Sequence, residues 1–176
     1  MKTIKLALGA FAVLALSAFT VVQSSDWKLN EQSYSVTFKG GDLEGTFKGL
    51  KTAILFDEAV PEKAKISASI NVNTINTGNG MKNKHAKGAD ALNAKQFPEI
   101  TFVSESVNKK GTSYTALGKL TMRGVTKALS LPFTFTNKGV EGIFSGKLTV
   151  NTKEYGITKM HVPEIIEINI VASVTK

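Results

Sequence analysis

The alternation of apolar and polar residues constrains this chain more than any other feature. From Ala64 to Asn73 every even-numbered residue is apolar and every odd-numbered one is polar. Strand side chains point to opposite faces in turn, so this segment hides one face and wets the other. Ile166, Ile168, Ile170, Ala172 and Val174 repeat the pattern near the C-terminus, with Val171 the exception among the polar partners. Tyr34, Val36 and Phe38 do the same further upstream. None of these stretches shows the helical period of about 3.6. They are read as strands.

Further strands are expected over Thr52 to Phe56, Ile100 to Val107, Ser113 to Met122, Ala128 to Thr136 and Ile143 to Val150. Between them stand Gly40-Gly41-Asp42, Lys109-Lys110-Gly111-Thr112 and Asn137-Lys138-Gly139. Gly and Asn supply the positive φ that tight hairpins require. The rhythm breaks around residues 79–96, where Met81, His85, Ala89 and Leu92 fall at helical spacing. A helix or two short turns is expected there, across one end of the sheet and ending at Phe97-Pro98.

The expected fold is all-β and antiparallel, with about eight or nine strands and one short helical insertion. Two packed sheets or one closed barrel would both satisfy the pattern. Closure removes exposed edges, and a barrel of about eight strands can hold one small ligand. Frequent glycines suit strongly bent strands, and small residues accompany the phenylalanines on the inner faces; both favour the barrel.

The N-terminus speaks to destination. Lys2 and Lys5 precede an uncharged apolar run from Leu6 to Phe19, followed by small residues and then Gln23-Ser24-Ser25-Asp26. That order is the signature of a secretory signal peptide over residues 1–22, cleaved between Ala18 and Ser25. An uncleaved anchor is the alternative, but the run barely reaches the roughly 17 to 25 residues a spanning helix needs. Residues 23–176 then form one domain, large enough to bury a core without disulfides. The chain has no cysteine, which excludes a lipoprotein anchor. Its formal charge of +8 is spread over scattered lysines, as solubility requires, and export argues against nucleic acid as a partner.

No reaction centre is legible. Nucleophilic catalysis needs a Ser, Cys or Thr beside an oriented base, and His85 and His161 are the only histidines, neither in a nucleophile motif. His85 with Asp90 could form an acid/base pair, although a histidine engaged by backbone at the barrel end explains it as well. No metal-ligand spacing and no phosphate loop are present, so neither metal nor cofactor is expected. The apolar positions Val36, Phe38, Phe47, Phe56, Ile66, Ile70, Phe102, Leu120, Phe133, Phe135 and Ile168 are read either as core or as the lining of a ligand tunnel. Lys82, Lys84, His85 and Arg123 are candidate donors for a head group at its mouth, or solvated turn residues.

Several segments in order then resemble a known family. They are Ser33-x-x-Val36-x-Phe38, Gly45-Thr46-Phe47-x-Gly49, Ile54-Leu55-Phe56-Asp57 and Ile70-x-Val72-x-Thr74-Ile75-x-Thr77-Gly78-Asn79. Lys82-Asn83-Lys84-His85, Phe97-Pro98-x-Ile100-x-Phe102-x-Ser104, Gly118-Lys119-Leu120-Thr121-Met122-Arg123-Gly124-Val125-Thr126-Lys127 and Tyr155-Gly156-Ile157 follow. Together they resemble the YceI-like, polyisoprenoid-binding exported proteins, from about Trp27 to Ser173. The resemblance implies an extended lipocalin-like barrel, an apolar tunnel for a long isoprenoid, isoprenoid quinone or similar lipid, and a periplasmic or secreted location. Where the family often carries Arg-Asp-x-His, this chain has Lys82-Asn83-Lys84-His85. An arginine that many members place before the Tyr-Gly pair is also missing, so two bidentate forks are lost and the head group is expected to differ.

Three readings follow: a non-catalytic carrier, an enzyme acting on a lipid in the same tunnel, or a structural or stress-related envelope protein with a filled interior. A homodimer is compatible with each.

Overall fold

The computed structural model describes residues 25–176. Residues 1–22, read from the sequence as a signal peptide, lie outside the described residues. Nine strands make one antiparallel sheet: β1 (Ser25–Gly40), β2 (Leu43–Phe47), β3 (Lys51–Phe56), β4 (Lys65–Asn71), β5 (Glu99–Lys110), β6 (Ser113–Met122), β7 (Val125–Lys138), β8 (Glu141–Asn151) and β9 (Ile165–Thr175). The pairing runs β1-β3-β4-β5-β6-β7-β8-β9, and β9 returns to β1 from Lys28↔Thr175 to Lys39↔Glu167. The sheet is therefore a closed barrel of eight strands, with β2 as an extra strand on β1.

Tight turns close the hairpins where glycines were expected to. Gly41, Gly111 and Gly139 adopt positive φ between β1 and β2, β5 and β6, and β7 and β8. The β6–β7 turn is Arg123-Gly124, with both residues at positive φ, the geometry whose twist matches that of paired strands.

The wall is continuous but not uniformly laddered. β1 pairs with β3 only at Ser25–Trp27 and with β2 only from Val36 onward, so Lys28–Ser35 has no partner on that edge. A register shift between Leu29 and Tyr34 marks the same place on the β9 side. The Tyr34 hydroxyl spans the interruption, accepting from the backbone N–H of Gly49 at 2.8 Å and of Leu50 at 3.4 Å. A second parting lies between β7 and β8, whose pairing stops at Phe133↔Gly146 and leaves Val125–Pro132 without a partner on β8. Pro132, which cannot donate to a ladder, stands at that parting.

The insertion between β4 and β5 contains the helix α1 (Gly80–Ala86), capped by the Asn79 side chain, which accepts from the N–H groups of Met81 and Lys82. The helical spacing seen in the sequence holds for Met81 and His85 only; Ala89 and Leu92 lie beyond, in successive turns. Among the described residues no helix is long and apolar enough to cross a membrane.

Candidate functional site: a layered barrel interior

The inward-facing residues sort into layers along the barrel axis. At the end where β1 and β6 begin, aromatic rings fill the cross-section. Phe56, 1 % exposed, lies edge-on to Tyr114, Phe133, Phe135 and Phe144 at centroid distances of 5.0 to 5.8 Å. Trp27 meets Phe135 at 5.1 Å, and its indole N–H donates to the carbonyl of Phe56 at 3.0 Å. This layer is a plug.

Above it the side chains shorten and the interior opens. A hollow of about 150 Å³ lies between Val36, Ile54, Ala68, Phe102, Leu120, Leu131, Phe144, Gly146 and Ile170, among others. Its lining carries no charged side chain. Ile66, Ala68, Ile168 and Ile170 point inward by their alternation yet are only half-buried, because the surface they keep faces this space. A second hollow of about 100 Å³ sits beyond Phe47, Ile100 and Ile168, which line both and so form the partition between them. Its far wall is Ala86, Ala91, Leu92, Ile157 and Val162.

The segment from Thr77 to Pro98 is the lid over that second hollow. Its own Ala91 and Ala94 are buried. The Arg123 guanidinium donates through Nη2 to the carbonyl of Ala89 at 2.9 Å and lies against Gly156, where a Cβ would come within 2.9 Å of Nη1. Arg123 Nε is buried with no hydrogen-bond partner. The carbonyl of Asp90 accepts from the backbone N–H of Thr158 at 3.1 Å and of Lys159 at 2.9 Å, while Lys159 Nζ meets Asp90 Oδ2 at 2.8 Å. Gly124 packs under Phe97, and a Cβ there would lie 2.6 Å from that ring. Phe97 is thereby seated on the β6–β7 turn.

The Lys159 ammonium, hydrogen-bonded to the Asp90 carboxylate, holds its pKa below the ordinary value, with His85 adding a smaller pull. A lowered pKa means the tether contributes fully above the ordinary carboxylate range and is lost as pH falls through the lowered value. The protection of the Thr158 and Lys159 amides, taken relative to intrinsic exchange at each pH, is therefore expected to fall on acidification into that range, and to do so less in high salt, since the pair is exposed. Protection unchanged across the carboxylate range would remove the Asp90 carboxylate from the tether.

The sequence candidates separate accordingly. Val36, Ile66, Ile70, Phe102, Leu120 and Phe133 line the larger hollow, Phe38 lines the smaller, and Phe47 and Ile168 line both. Phe56 and Phe135 touch neither hollow and belong to the plug. Lys82, Lys84 and His85 are exposed on α1, whereas Arg123 is turned inward to hold the lid. Leu129, Leu131, Leu148 and Ile170 also line the larger hollow, and their alternation along the strands is the signal in the sequence that marks them. Among the described residues no group of three or more His, Asp and Glu gathers as a metal would need.

Comparison with known proteins settles the family. The YceI-like domain family matches residues 27–174. The chain belongs to the YceI-like family. Protein YceI of Salmonella arizonae is 33% identical over 138 residues, which cover 75% of this chain and 72% of that protein. Burkholderia cenocepacia BcnA superposes with a TM-score of 0.80 at 24% identity, covering 84% of this chain and all of BcnA. A polyisoprenoid-binding domain from Saccharophagus degradans, implicated in plant cell wall breakdown, superposes with a TM-score of 0.64 at 12% identity, covering 85% and 97%. This YceI-like barrel thus shares its architecture with proteins of several bacteria.

Proposed function

We infer that this YceI-like chain is an exported, non-catalytic carrier that holds a long apolar ligand, an isoprenoid or similar lipid, inside the barrel. The observation that carries the reading is the uncharged hollow enclosed by the closed sheet. Each CH₂-sized group moved from water into such a space contributes about 0.8 kcal/mol, so retention needs no reaction chemistry. The signal-like residues 1–22 support a periplasmic location. The printed description of the Saccharophagus domain supports the ligand class.

Size adds a condition. A dry apolar cavity of about 150 Å³ accommodates a benzene-sized molecule, so the larger hollow alone takes about one isoprene-sized group. A longer chain must displace the partition formed by Phe47, Ile100 and Ile168 and use both hollows. Binding is then expected to move those side chains and leave the aromatic plug in place.

Mass spectrometry of an organic extract from protein purified without detergent tests the reading. Stoichiometric chain lipid is expected from the unaltered protein. Ala68→Phe, which drives a ring into the larger hollow, is expected to lower the lipid content at least ten-fold while a native thermal transition persists. An extract without chain lipid, or equal lipid from the variant, overturns the carrier.

A further inference from the structure

One inward side chain does not fit an interior built for hydrocarbon alone. From Leu50, just before β3, the inward alternation runs on through Ile54 and Phe56, with Thr52 occupying the intervening place. Its hydroxyl oxygen is shut from solvent and has no hydrogen-bond partner. Thr152, in the smaller hollow, instead donates to the carbonyl of Pro163 at 2.9 Å. A buried hydroxyl without a partner carries an uncompensated desolvation cost, which a bound group can relieve.

The surroundings restrict that group. Thr52 lies on the stretch of β3 that β1 leaves unpaired, next to the interruption bridged by Tyr34. Both hollows are lined without a Lys, Arg, His, Asp or Glu. An anionic diphosphate at this depth would be left without a counter-charge, which a low-dielectric interior penalises heavily. A neutral hydroxyl or carbonyl meets no such penalty, and a threonine hydroxyl can both donate and accept.

We propose that Thr52 is a specificity-determining contact, and that the ligand is a branched chain bearing a neutral hydroxyl or carbonyl group that hydrogen-bonds Thr52 Oγ1 inside the barrel. The proposal rests on the carrier reading and narrows it to neutral polar-headed chains. A charged-headed chain would have to leave its head outside and would gain nothing from Thr52.

Phytol and phytane, one branched carbon skeleton with and without a hydroxyl and its allylic double bond, test this by displacement of the neutral fluorophore N-phenylnaphthylamine. The unaltered protein is expected to prefer phytol about ten-fold, the worth of one buried hydrogen bond. Thr52→Val keeps the shape and removes the hydroxyl; it is expected to abolish the preference with phytane affinity unchanged. Thr52→Ser is expected to retain it. Because the valine removes an unsatisfied polar group, the ligand-free thermal midpoint is expected to hold or rise, which checks folding independently. Equal affinity for the two probes in the unaltered protein, or a preference that survives Thr52→Val, overturns the assignment while the carrier stands. If neither compound displaces the fluorophore, the carrier falls and the assignment with it.

Discussion

Truncating Phe56 to alanine is expected to lower stability by about 4 kcal/mol, the usual cost of deleting a fully buried ring. For a domain of this size that corresponds to a fall of about 10 °C in thermal midpoint. The cost is high because four rings close on Phe56 and none of them can fill the space it leaves without abandoning another contact. The cavity would also join the ligand-holding space, since Phe133 and Phe144 face both. A larger apolar capacity should therefore accompany the lost stability. Scanning calorimetry and lipid extraction read the two effects together. A midpoint within about 3 °C of the unaltered protein would show that the rings are not a structural plug.

Gly118→Ala is expected to be nearly as damaging, for a different reason. A Cβ at this position would lie 2.2 Å from the carbonyl oxygen of Val103 and 2.8 Å from the Cα of Ser104. Both are backbone atoms of β5, at the place where its register against β6 shifts between Ser104 and Ser106. A flexible side chain could swing away from such a clash, but a laddered strand cannot. A loss of about 3 kcal/mol or more is expected, at the upper end of overpacking costs. Gly146→Ala is the control. Its Cβ would meet first the Leu131 side-chain tip, at 3.2 Å, and stiffening the unfolded chain offsets the crowding, so its stability should change by less than about 1 kcal/mol. Comparable chemical-denaturation midpoints for the two variants would refute the strand-contact explanation.

Much of the architecture was readable because a half-buried strand must alternate, and here the alternation is nearly unbroken in β4, β6 and β9. The hairpins were readable for an equally local reason, since Gly41, Gly111 and Gly139 are where positive φ is needed. Strand β2 was harder to see. Leu43 to Phe47 includes Gly45 inside a five-residue element, too short and too interrupted to display a period. The insertion was legible as a helix or two short turns, but where the helix gives way to turns was not. Met81, His85, Ala89 and Leu92 share a spacing, but Gly88 and the hydrogen bonds of the Asp90 carbonyl to Thr158 and Lys159 end the helix early.

The interior was legible in kind but not in level. Alternation tells which residues face inward, yet it cannot tell a packed ring from a lining ring. That distinction depends on what stands across the axis. Phe56 and Phe133 look alike in sequence, but one is enclosed by four rings and the other has open space on one side. Thr52 passed unnoticed because a threonine at an inward strand position is unremarkable until its hydroxyl proves to have no partner. Arg123 was noticed for its charge, whereas its place in the fold depends on reaching Ala89, thirty-four residues away in sequence.

The seam between β1 and β9 carries a kinetic consequence. It joins the earliest described strand to the latest, so the cylinder cannot shut until residues 165–175 have arrived. Until then β1 and β8 both show bare, hydrogen-bond-hungry flanks, which are natural templates for mispairing with other chains. Such distant closure also slows assembly. Newly made copies are therefore most vulnerable in the interval before their tail docks, and a holdase would find its grip there.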